Sequence, residues 1–326
     1  FNRLQNESQA AFIISHELAH YYLQHSDNAI DNYVNTLYSK EFQGQLREIK
    51  KSRYQQGRSL DELVKDISYK SRRHSRAHES EADSMALELL RPAGFDVREA
   101  LSCLALLDSV DRDKYAGDLH LKEQLNFPDY PFRRSWLRQS SPTLAEAIRA
   151  SEAGQETAGA EADSLKTHPD CSTRILRLTP QVEAYYNGSQ QLFPVSRSVF
   201  DILVNYFDYE LIEYCYQSDK AGRALYYALQ QFYKKKDNLY LATMIGKCFN
   251  RIYHAQKEHT FSKVVDINTS SDSEEYETFL KFLRNLKLDD IASISYYFMK
   301  EHMPEFGSDK DFEAVYKESV DLFSSQ

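Results

Sequence analysis

The chain has 326 residues, room for a large core and two domains, and its 42% hydrophobic and 27% charged content is that of a folded globular protein. A formal net charge of -9 argues against general affinity for nucleic acid or anionic lipid. The four cysteines, Cys103, Cys171, Cys215 and Cys248, are scattered without C-x-x-C spacing, which excludes a zinc ribbon or thioredoxin-like motif; no apolar run reaches the length of a membrane span.

In chain order, Ser8 to His25 predicts a buried helix, apolar at Ala11, Phe12, Leu18, Ala19 and Leu23. It contains His16-Glu17-Leu18-Ala19-His20, an H-E-x-x-H pentad. On a helix the two histidines lie one turn apart on one face, so both imidazoles can hold one zinc ion. Glu17 then projects beside the metal, where it can take a proton from water. His25 falls off the metal face in this reading and is assigned to the helix end. Residues 28–73 are polar and locally basic, and read as exposed helices with a turn near Gly57, a solvated face rather than a binding patch.

His74 to Leu90 predicts a second helix, apolar at Ala82, Met85, Ala86 and Leu89, and stopped by Arg91-Pro92-Ala93-Gly94. A hydrolytic zinc needs a third protein ligand and one open position, and the candidate ligand lies within His78-Glu79-Ser80-Glu81-Ala82-Asp83. Glu79 and Asp83 share one helical face a turn apart, so the second carboxylate can orient a ligand imidazole from behind. Glu81 points to another face, and His74 and His78 read as structural or exposed. A third helix spans Val97 to Leu107, followed by an aromatic, proline-bearing loop from Asn126 to Phe132 and the single tryptophan, Trp136.

Ser140 to Leu165 has almost no bulky residues and reads as a mobile insert. From about Pro180 amphipathic helices follow one another. Their apolar sets are Val199, Ile202, Leu203 and Tyr206; Leu225, Ala228, Leu229 and Phe232; Leu241, Met244, Ile245, Cys248, Phe249 and Ile252; Phe279, Leu283 and Leu286; Ile291, Ile294 and Phe298; and Phe312, Val315, Tyr316 and Leu322. Paired helices of this length are similar to a helical-repeat module, without a clean tetratricopeptide consensus.

The segment Glu79, Ala82, Asp83 matches an E-x-x-A-D motif, and His168-Pro169 with Arg174-Ile175 matches an H-P-x-x-x-x-R-I segment. With the pentad, in this order, the chain resembles the zinc metallopeptidases that include the HtpX heat-shock protease, the periplasmic protease-chaperone BepA and the CAAX prenyl proteases. A second acidic pair at Glu161-Ala162-Asp163 is a decoy, because Gly159 stands where the ligand would be. The resemblance implies Glu79 as third ligand to one Zn²⁺ held by His16 and His20. It implies that His168 stabilises the oxyanion or occupies the open metal position, and that Arg174 anchors its loop.

The resulting expectation is a mainly α protein. Residues 1–180 form a zincin-like catalytic domain interrupted by the insert at 140–165. Its small sheet, with the substrate-binding edge strand, would belong upstream of Phe1. Residues 181–326 form an all-helical domain. The expected activity is that of a metalloendopeptidase acting on protein or peptide substrates, with Glu17 as general base. The resemblance implies protein quality control in the periplasm or cell envelope of a bacterium, with a protein partner docking on the C-terminal helices. The alternative is a chaperone-like or scaffold protein whose metal site is latent or plugged.

Overall fold

The computed structural model describes residues 1–51, 76–108, 114, 117, 119–138, 171–267 and 273–325. The insert at 140–165, the decoy pair, His74 and His168 lie outside these residues. Among the described residues there is no sheet, only isolated bridges joining Phe95 to Gln191 and Phe127 to Tyr130, as a mainly α protein requires. Two compact units divide the chain. One takes residues 3–51, 76–108 and 171–202; the other takes 119–138, 203–267 and 273–325. Residues 119–138, grouped with the first half by the sequence reading, thus belong to the second unit.

The first unit is built on α1, Glu7–Tyr22. Asn6 starts it by accepting a hydrogen bond from the Gln9 backbone N–H at 2.9 Å, and Glu7 in the first turn complements the helix dipole. Its buried stripe is Ser8, Gln9, Phe12, His16 and Ala19. Ile14 and Leu18 face outward at 51% and 45% exposure, so the expected buried helix, with Leu18 in its apolar set, is corrected to burial of one face. Polar residues tie that face down. Gln9 Nε2 and Asn6 Nδ2 each donate to Glu99 Oε2 at 2.8 Å, and Ser8 Oγ donates to the Gln191 carbonyl at 2.9 Å.

The helix stops where Gln24 adopts a left-handed conformation, φ 53°, and α2, His25–Tyr38, begins at once. α3, Lys40–Lys51, follows. α4 spans 76–90 in the described residues and buries Glu79, Ala82, Asp83, Ala86, Leu87 and Leu90. It ends at the predicted stop, with Gly94 at φ +81°, a conformation a side chain would strain. α5, Glu99–Leu107, and α6, Cys171–Tyr185, close the unit, with Ser84 Oγ donating to Gln181 Oε1 at 2.7 Å to fasten α4 to α6.

α7, Arg197–Gln217, contains the division between the units. Its predicted apolar stripe, Val199, Ile202, Leu203 and Tyr206, is exposed, while Phe200, Ile212 and Cys215 are buried. The remaining helices are α8 (Ala221–Lys234), α9 (Leu239–Lys257), α10 (Glu274–Asn285), α11 (Leu288–Phe306) and α12 (Lys310–Ser324). Their apolar stripes are buried as predicted, apart from the half-buried Tyr316, in a core that includes Phe249, Phe279, Phe282, Phe298 and Phe312. Leu125, Phe127 and Trp136 join that core, which explains the placement of 119–138. α9 packs closely on α12 because Gly246 has no side chain: a Cβ there would stand 2.8 Å from Val315 Cγ1.

Candidate metal centre

Three ligand atoms, one each from His16, His20 and Glu79, lie within 4.8 Å of one another. The Nε2 atoms of His16 and His20 are 3.1 Å apart. Glu79 presents Oε2 at 3.5 Å from His16 Nε2 and Oε1 at 3.6 Å from His20 Nε2. Tetrahedral zinc with bonds of about 2.0–2.1 Å sets ligand atoms about 3.3 Å apart, so the spacing suits that ion. The chemistry agrees: facing imidazole nitrogens repel through their lone pairs unless a proton or a cation stands between them. Two imidazoles and a carboxylate are also an ordinary zinc donor set. The helical period of α1 supplies both histidines on one face, and α4 brings Glu79 opposite them.

Behind the donors lies a layer of charge. Asp83 Oδ1 is 3.0 Å from His16 Nδ1, a contact that lies off the line of the ring N–H. Arg174, from α6, grips Asp83 with two hydrogen bonds, Nε to Oδ2 at 2.8 Å and Nη2 to Oδ1 at 2.6 Å, and its Nη1 is 3.3 Å from Glu79 Oε2. All four of His16, Glu79, Asp83 and Arg174 are buried.

Protonation follows from these neighbours. Burial pulls the His16 pKa down, but the carboxylates of Asp83 and Glu79 outweigh it and raise it to about 9 in the metal-free protein. His20 moves the other way, lowered first by burial and then by the positive field of His16. Burial pushes the Asp83 carboxyl up, while its hydrogen bonds to Arg174 and its close contact with His16 bring it net below the usual range.

Of the remaining candidates, Glu17 is exposed next to His16 along α1, and His168 lies outside the described residues. His25 stands at a helix end, as expected, but it is the first residue of α2 and not the last of α1. It is 4% exposed, with Nδ1 2.9 Å from His20 Nδ1 and Nε2 3.2 Å from Glu81 Oε2. His78 stacks on it, ring centroids 4.2 Å apart and planes 8° from parallel. The left-handed Gln24 is the reason: it breaks α1 and returns the chain beneath His20, where a continuous helix would have carried His25 away.

No curated protein matches the chain, and no solved structure matches it. No helix among the described residues is long and apolar enough to cross a membrane. The model of peptidase family M48 matches residues 1–182, more than half of the 326-residue chain and the stretch that holds every residue of the centre described above. The chain belongs to peptidase family M48, and it is a metallopeptidase, a hydrolase of peptide bonds.

Proposed function

We propose that the protein is a zinc endopeptidase in which His16, His20 and Glu79 hold the ion and Glu17 is the general base. The observation that carries this reading is the convergence of the three donor atoms at the spacing of a zinc coordination shell. When bound, zinc supplies a Lewis acid that polarises the scissile carbonyl and acidifies water. Glu17 takes the proton as water oxygen adds to the carbonyl carbon, and returns it to the amine as the C–N bond breaks. Asp83 orients His16, and Arg174 fixes Asp83 and offsets its charge. His168 retains by resemblance the role of oxyanion donor or gate on the open position.

The proposed setting is protein quality control in the periplasm or cell envelope of a bacterium. The unit of residues 3–51, 76–108 and 171–202 carries the catalytic centre, and the helices from residue 203 onward dock a protein partner. Supporting a docking role of this kind, the helices from residue 203 onward lie outside the residues that the family model matches.

The test compares zinc content and casein cleavage of wild type and Glu17→Gln. Glu17→Gln should keep its zinc and lose about 10²–10⁴-fold in cleavage rate. Equal cleavage by the two proteins would sink the mechanism. Partner capture that persists in Glu17→Gln and disappears when the helices after Thr179 are deleted would support the docking role.

A further inference from the structure

We infer that His25 is a positioning residue for the zinc ligand His20, whose ring proton it accepts so that the His20 Nε2 lone pair is directed at the metal. The inference rests on the assignment of His16, His20 and Glu79 as ligands and adds a residue to it.

The argument is an accounting of ring protons. Neutral His20 and His25 carry two protons on four ring nitrogens. Their Nδ1 atoms are 2.9 Å apart, so one of the pair donates to the other. His25 Nε2 is 3.2 Å from Glu81 Oε2, an acceptor when ionised, so that nitrogen carries the His25 proton. His25 Nδ1 is then the acceptor, the His20 proton resides on Nδ1, and His20 Nε2 is bare. The opposite assignment sets a lone pair of His25 against a carboxylate oxygen. It also places a proton on His20 Nε2, the atom 3.1 Å from His16 Nε2 and 3.6 Å from Glu79 Oε1.

Geometry keeps the acceptor in place. The His25 side chain is 5% exposed and stacked on His78, while Glu81 reaches it from the solvent edge at 61% exposure. The two ligand imidazoles are thereby backed in different ways. His16 has a carboxylate at its Nδ1, and His20 has an imidazole that relays to a carboxylate.

The test measures zinc affinity of the metal-free protein by competition with a chromophoric chelator, together with ring tautomers by long-range ¹H–¹⁵N NMR. His25→Phe keeps an aromatic ring against His78 and removes the acceptor; it should weaken zinc binding by about 10–100-fold. His25→Asn, whose side-chain oxygen falls near the position of Nδ1, should restore affinity to within a few-fold of wild type. In the zinc-loaded wild type, the His25 proton should be found on Nε2. This measurement needs no variant and stands even if His25→Phe fails to fold.

A His25 proton on Nδ1, or unchanged affinity in His25→Phe while His16→Ala and His20→Ala abolish binding, would overturn the role of His25 alone. Zinc binding that survives both His16→Ala and His20→Ala would instead remove the ligand assignment on which the inference stands.

Discussion

Arg174 holds Asp83 through two hydrogen bonds of 2.8 and 2.6 Å, in a pocket where the two side chains are 7% and 3% exposed. A planar guanidinium fits a carboxylate in this two-point manner and an ammonium does not. Arg174→Lys should therefore keep the charge and lose the grip, weakening zinc binding about 10–100-fold through a loosened Asp83 and His16. Arg174→Ala should cost about 3–5 kcal/mol of stability, since it leaves the buried Asp83 carboxylate without its two-point partner. Chelator competition and urea unfolding of the metal-free protein check the two outcomes; equal affinity in Arg174→Lys and wild type would refute the first.

Zinc must displace the proton that His16 holds. With its pKa raised from 6.5 to about 9, His16 is protonated at neutral pH in the metal-free protein. Zinc uptake at neutral pH should then release a proton from His16, seen as a dependence of calorimetric binding heat on the ionisation enthalpy of the buffer. Affinity should climb with pH until about 9, approaching tenfold per unit over the range below it. The stability of the metal-free protein should move oppositely. The folded-state pKa lies above the unfolded one, so the contribution is complete below 6.5 and is lost as pH rises through about 9.

One-sided burial of α1 gives a contrast in stability. Phe12, 1% exposed, should cost about 3–5 kcal/mol on truncation to alanine. Ile14→Ser and Leu18→Ser, on the outward face, should stay within about 0.5 kcal/mol of wild type. Thermal unfolding of the three variants separates the two faces, and a large loss in Leu18→Ser would contradict the orientation of the helix.

In the second unit, Gly246→Val should destabilise by at least about 1–3 kcal/mol, because the added branches meet Val315 and Met299 where α9 approaches α12 and α11. Val315→Ala should relieve part of that loss. Absence of rescue would show that the strain lies elsewhere.

Most helices of this protein were legible because their apolar residues recur at the helical period, and α4 ends at a readable stop, Arg91 to Gly94. Of the proposed donor set, His16 and His20 were legible as a pair one helical turn apart, while Glu79 was singled out by the resemblance of its motif. What the sequence hid was orientation. Periodicity identifies an apolar stripe without saying whether it turns inward, and for Val199, Ile202, Leu203 and Tyr206 it turns outward. His25 was hidden by a single backbone torsion, since a glutamine in the left-handed region carries no reliable signature. His168, expected near the metal, lies outside the described residues.

The partners in the Asp83–Arg174 clamp are separated by 91 residues along the chain. A ribosome therefore releases His16, His20 and Glu79 well before it has translated the arginine that steadies them. Until residue 174 has emerged and docked, Asp83 lacks the guanidinium that grips both of its carboxylate oxygens, and the layer behind the donors is incomplete. The layer behind the donors is therefore completed only once α6 has packed against α4.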